Sequence, residues 1–292
     1  MSLVATLKTK VPWWAKIGTK LVLSRLPISY KVWRRLAMFE LGQMEQPAYA
    51  YRVFRRHFDR LGAAKYPHGF TVLELGPGDS LFSAMVAHAL GASATYLVDV
   101  GSFAQSDLAP YHAMARFLQE QGLTTVNMDH AHSLDELLRL CHAFYATSGI
   151  SSLRAIPEQS VDFIWSQDVL EHIKREDFMT IVRELRRVIH PQGLCSHRID
   201  LKDHLGGALN NLRFPTGIWE SEFMASGGFY TNRLRYSEIL DLFKQAAFDV
   251  EVVDIERWPR VPTPGAKLAA EFRRMSPEEL CVSGFDVILR PR

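Results

Sequence analysis

Hydrophobic positions along the chain change their spacing several times, and each change marks an element. From about Ile28 to Leu61, Val32, Leu36, Phe39, Tyr49, Val53, Phe54 and Phe58 recur at helical spacing, interrupted at Gly42 and Pro47. The pattern predicts a helical N-terminal extension. At Phe70 it becomes a short β-rich run, TVLEL, then a GPGD turn, then LFSAMVAHAL, long enough for a helix. Strand ATYLVDV ends at Asp99, and VDFIWS (161–166) is apolar on both faces, as in a buried parallel sheet. An amphipathic helix over 174–189 stops at His190-Pro191-Gln192-Gly193 and is followed by a strand, LCSHRID. Helix YSEILDLFKQAAF, strand DVEVVDIE and strand GFDVILR close the chain. Alternating strands and helices predict an α/β doubly wound sheet. Residues 201–235 follow no period and are expected to form a lid, whereas 259–280 are expected to hold a short helix near 267–274.

Composition narrows the class. With 47% hydrophobic and 23% charged residues, 292 residues build one large core and attachments. The expected division is a basic helical extension over 1–69 and a catalytic domain over 70–292. Three dispersed cysteines suggest neither a disulfide framework nor a zinc motif, so a cytoplasmic location is expected. The net charge of +2 hides an asymmetry: residues 1–39 hold eight Lys and Arg and no acid, leaving the remainder at −6. Trp13 and Trp14 beside Lys8, Lys10, Lys16 and Lys20 suit either peripheral contact with an anionic membrane or packing on the domain itself. An acidic body without a basic, aromatic-interleaved groove argues against nucleic acid.

The chemistry concentrates at Glu74-Leu75-Gly76-Pro77-Gly78-Asp79-Ser80, where a strand meets a helix and glycines let a ligand approach the backbone. A dinucleotide fingerprint would need glycine at position 81, where the chain has Leu81, which counts against NAD or FAD. Asp99 closes the next strand, where a carboxylate can accept both hydroxyls of a ribose.

Together VLELGPGDS, LVDVG and IPEQSVDFIWSQDVLEHI resemble the ordered motifs of class I S-adenosylmethionine-dependent methyltransferases over residues 70–200, with Ser80 replacing the last glycine. The resemblance implies a Rossmann-like fold and S-adenosyl-L-methionine as cofactor. It places Glu74, Gly76 and Gly78 at the methionine moiety, Asp99 at the ribose, and Ser166 and Gln167 beside the transferring methyl. An acid near the adenine has no counterpart in Phe144–Gly149; Thr147 or Ser148 are the nearest candidates. Base candidates are Asp168, Glu171 and His172 after strand four, and His197, Asp200, Asp203 and His204 at strand five. Of these, His172, His197 and Asp168 are the expected catalytic groups. No spacing is diagnostic of a metal site, and none is expected.

The stretch SHRIDLKDHLGGALNNLRF with YTNRLR is similar to methyltransferases of surface-polysaccharide and glycan biosynthesis, implying O-methylation of a sugar hydroxyl. Trp219, Phe223, Phe229 and Tyr230 are expected to stack on a sugar or an aromatic acceptor. A lipid or other small-molecule acceptor is the alternative. A non-catalytic binding protein would have lost the glycine turn, which this chain keeps.

Overall fold

The computed structural model describes residues 12–23, 43–62 and 69–292. The expected helical positions Val32, Leu36 and Phe39, the break at Gly42, and Lys8 and Lys10 lie outside the described residues.

Seven strands form one sheet: β1 (Phe70–Leu75), β2 (Ala92–Val98), β3 (Ala143–Ala146), β4 (Val161–Gln167), β5 (Ile189–Asp200), β6 (Phe248–Arg257) and β7 (Val282–Pro291). Their order is β3-β2-β1-β4-β5-β7-β6. The first five run parallel, and β7 is inserted antiparallel between β5 and β6. This is the Rossmann-like class I methyltransferase arrangement that the motifs imply.

Alternation along the strands sends successive residues to opposite faces. Val72, Phe163 and Trp165 enter one core with helices α2 (Pro47–Phe58), α3 (Phe82–Ala89), α4 (Ala109–Glu120) and α5 (Leu134–Leu140). Leu73 and Ile164 enter the other with α6 (Ile150–Arg154), α7 (Arg175–Val188) and α10 (Tyr236–Gln245). Because both faces are covered, the central strands read as continuous apolar runs, and FTVLEL and VDFIWSQ are nearly all buried.

Two sequence expectations need correction. His190–Gly193 ends α7 but does not separate it from the next strand: β5 begins at Ile189, and its pairing jumps from Val161↔Ile189 to Phe163↔Leu194, so the Pro-Gly segment is a bulge at the strand's start. The helix expected at 267–274 is replaced by a single 3₁₀ turn, Gly265–Lys267, followed by turns; the helix of that region is α11 (Pro277–Leu280), capped by Ser276.

The lid is ordered. Beyond the short helix Asn210–Arg213, α8 (Thr216–Trp219) contributes Trp219 and α9 (Glu222–Ala225) Met224 to a small core that Leu205, Phe229 and Tyr230 complete from the connecting segments. Helix α1 (Trp13–Leu23) closes that core with Ile17, Trp13 and Leu21. Packing on the domain therefore accounts for one face of α1, while Trp14 and Val22 stay exposed. The buried Arg235 ties the two ends of the lid together, donating to Leu201 O at 3.1 Å and Val282 O at 2.7 Å.

Candidate active site

At the carboxyl end of β1 the chain turns through two left-handed glycines, Gly76 (φ 66°) and Gly78 (φ 67°). The first is required for a second reason: a Cβ there would come within 2.7 Å of Val169 Cγ2. The turn after β4 thus rests directly on the turn after β1. Asp99, just beyond β2, accepts from Gly78 N at 3.0 Å and from Val100 N at 2.7 Å. These two bonds fix the carboxylate and use one lone pair on each oxygen, leaving one on each for vicinal hydroxyls. Burial pushes the Asp99 pKa up and the two amides draw it back. Beyond β3, Gly149 N donates to Asp99 O at 2.9 Å, so the Thr147-Ser148 stretch is held against the end of β2.

Glu74, expected at the methionine moiety, lies at the end of β1 just before the glycine turn. Its side chain is buried and accepts a hydrogen bond from Ser83 of α3. Burial raises its pKa to about 8.

The candidates at β4 and β5 separate by access. Ser166 and His197 are buried at the centre of the sheet, sharing a 2.7 Å bond between Ser166 Oγ and His197 Nδ1. At 0% exposure His197 cannot meet an acceptor, and burial lowers its pKa to about 3, keeping it neutral. Ser166 likewise supports the strand end from within. Gln167 caps β4, taking hydrogen bonds on Oε1 from Arg56 at 2.6 Å and passing one from Nε2 to Asp168 Oδ2 at 2.6 Å.

Asp168 and His172 are open. Asp168 adopts a left-handed backbone (φ 54°), which turns the chain sharply out of β4, and its side chain is 42% exposed. Such strain at a strand end is a common feature of functional turns. Burial of its inner part raises its pKa. His172 Nδ1 lies 2.9 Å from Tyr230 O; a carbonyl only accepts, so Nδ1 carries the proton and Nε2 the lone pair. Desolvation among its packed neighbours lowers the His172 pKa, although the residue keeps a solvent-exposed edge.

Sequence reasoning missed the contribution of α2. His57 Nδ1 shares a 2.7 Å bond with Ser196 Oγ of β5, and Arg60 donates to Ser196 Oγ at 2.9 Å and to Asp286 Oδ2 at 2.6 Å. The only signal was the amphipathic RRHF pattern; the partners lie more than a hundred residues away.

Residues 108–196 match the family model described as "Methyltransferase domain". That segment, under a third of the chain, is similar to a methyltransferase domain. The matched segment runs from α4 into β5, so the glycine turn and Asp99 precede it. No curated protein matches the chain. Among solved structures, YcgJ from Bacillus subtilis is 16% identical, covering 80% of this chain and 97% of its own, with a TM-score of 0.44. An S-adenosylmethionine-dependent methyltransferase from Mesorhizobium loti is also 16% identical, with the same coverage and a TM-score of 0.41. The Haemonchus contortus phosphoethanolamine N-methyltransferase 2 is 14% identical, covering 82% of this chain and 53% of its own, with a TM-score of 0.43.

S-adenosylmethionine is the cofactor of such a domain, and the residues present fit it. Gly76 and Gly78 leave the backbone bare where a Cβ would collide or strain, and the fixed Asp99 carboxylate retains acceptors for a ribose. Leu81, wholly buried, occupies the position where a dinucleotide fold would need glycine.

Proposed function

We propose that the protein methylates a hydroxyl oxygen on a small, polyhydroxylated acceptor, first among them a sugar in a glycan or glycolipid precursor. S-adenosylmethionine supplies a methyl on a sulfonium whose departure as a thioether needs no proton. What remains for the chain is to bind the acceptor, align it and take its hydroxyl proton. One observation carries the reading: Val169, between the open Asp168 and His172, packs on Gly76 of the cofactor turn. This packing supports a reading in which Asp168 and His172 serve as proton acceptors near the transferred methyl. An acceptor already anionic would need neither.

The choice of a polyol over a lipid rests on the rim. Gln167, Asp168, Asp200, Lys202 and Glu256 line the strand ends, and Lys202 spans Asp200 and Glu256 at 3.2 and 3.6 Å. Such groups exchange hydrogen bonds with several hydroxyls and offer little to a hydrocarbon tail. The lid aromatics do not decide the matter as the sequence suggested. Trp219, Phe229 and Tyr230 turn inward to build the lid core, and Phe223 alone of the four is exposed.

The test is methyl transfer from labelled S-adenosylmethionine to a panel of free sugars, glycolipid headgroups, phenols and long-chain lipids. Label on polyols at hydroxyl oxygen is expected. Label confined to amines, thiols or apolar acceptors would overturn the reading.

A further inference from the structure

Glu171, His172 and His204 bring a carboxylate oxygen and two ring nitrogens within 4.8 Å of one another; among the described residues they are the one group of three or more such side chains. We infer that these residues hold a first-row divalent metal ion, with zinc best matched to the donors, beside the site of methyl transfer. The inference rests on the hydroxyl-methylation reading for the ion's role, but the site itself stands on its own geometry.

The carboxylate of Glu171 is the first argument. It is 2% exposed; one oxygen accepts from Asp200 N at 3.3 Å, and the other, Oε2, has no hydrogen-bond partner. A buried carboxylate oxygen without a donor is costly unless a cation meets it.

His172 supplies the second. Donation from Nδ1 to Tyr230 O leaves Nε2 as the lone-pair nitrogen, the arrangement by which protein carbonyls prepare imidazole for a metal. Its ring stacks on that of His204, with centroids 4.8 Å apart and planes 24° from parallel. Small side-chain rotations close that spread onto an ion about 2 Å from each ligand.

All three ligands sit on turns braced by hydrogen bonds. Asn232 Nδ2 donates to Leu170 O and Ile173 O, and Asn232 N to Glu171 O, pinning the 3₁₀ turn Leu170–His172 from both ends. Asp203 Oδ1 accepts from Leu205 N and Gly206 N and its Oδ2 from Asn210, fixing the loop that bears His204. The nearest acids are already met, Asp168 by Arg198 at 3.8 Å and Asp200 by Lys202 at 3.2 Å, so the unpartnered oxygen of Glu171 is the charge left for a cation.

Two nitrogens and one carboxylate select zinc, manganese, iron or cobalt over magnesium and calcium, which want oxygen. With three protein ligands a coordination position remains open, as in metal sites that bind substrate. There an acceptor hydroxyl would be acidified; its proton would leave to Asp168, its oxygen would form the new C–O bond, and the departing sulfur would keep the C–S electron pair. His172 then serves as ligand, and Asp168 is left to take the proton.

The test uses the full chain, stripped with chelator and then titrated calorimetrically with Zn²⁺ and separately with Mg²⁺. One equivalent of zinc is expected to bind, magnesium to bind far more weakly, and Glu171→Gln or His204→Ala to weaken zinc by about 100-fold. Cobalt substitution should give the visible bands of a nitrogen-ligated ion, lost in His204→Ala. S-adenosylhomocysteine titration of each variant reports folding independently. If either variant loses its fold, His172→Gln and the cobalt spectrum of the parent decide. Absence of saturable zinc binding, or zinc binding unaltered in variants that still bind S-adenosylhomocysteine, would overturn the site. Zinc bound without any S-adenosylhomocysteine binding would leave the site standing and remove the methyl-transfer reading.

Discussion

Asp99 concentrates the cofactor end of the site in one side chain, since its two oxygens are held by the amides of Gly78 and Val100 and still offer a lone pair each. Asp99→Ala removes both ribose acceptors and the brace on the glycine turn. Charge-assisted hydrogen bonds contribute about 1.5–3 kcal/mol each, so S-adenosylhomocysteine should bind at least about tenfold more weakly in calorimetry. Unaltered affinity in the folded variant would refute the assignment. Glu74 makes a different prediction, about pH. Its pKa is near 4.5 unfolded and about 8 in the fold, so between these values the native state keeps a proton that the unfolded chain has lost. Stability therefore falls as pH rises through that window. Glu74→Gln has nothing to ionise, and its unfolding free energy relative to the parent, read from melting curves, should climb from pH 5 to pH 8, by an amount on the order of a few kcal/mol at the upper end. Parallel melting profiles would place Glu74 in contact with solvent instead.

Elements explain why part of this molecule was readable in advance. The central strands announced themselves because a sheet covered on both faces needs unbroken apolar runs, and GPGD announced the turn because left-handed φ at positions 76 and 78 suits glycine. The internal structure of 201–235 did not, because helices of four residues are shorter than any period can reveal, and Trp219 and Tyr230 gave no sign whether they face an acceptor or each other. His197 looked as available as His172 for the same reason. Strand alternation puts it inside, but which face is covered depends on Phe243 of α10, stacked at 6.3 Å. The pairing of Glu171 and His172 with His204 was hidden by the intervening β5 and its exit loop. The contact between turns is testable by Gly76→Ala, which combines positive φ with a 2.7 Å approach to Val169. It should lower the melting temperature and abolish measurable cofactor binding; Gly76→Ala with Val169→Ala should recover part of the stability by relieving the collision, though not the strain. An equally damaged double variant would show that Val169 is not the obstacle.

For the whole molecule, charge and shape pull in one direction. The acidic excess lies outside residues 1–39, and α1 closes the lid core with one face while Trp14 and Val22, together with Ile218 and Phe223 of the lid, remain exposed. No helix among the described residues is long and apolar enough to cross a membrane. Peripheral contact through the basic arm is thus the arrangement to test. Removing residues 1–27 should reduce pelleting with phosphatidylserine vesicles at low salt and leave cofactor affinity unchanged; equal pelleting would confine α1 to its role in closing the lid.

The central claim is that the turn formed by Gly76, Gly78 and Asp99 binds S-adenosylmethionine and no dinucleotide. It is tested most directly by calorimetric titration of the purified chain with S-adenosylhomocysteine, with NADH as the comparison ligand. One equivalent of S-adenosylhomocysteine and no heat from NADH is the predicted result. Binding of NADH, or of neither ligand by the folded protein, would contradict it.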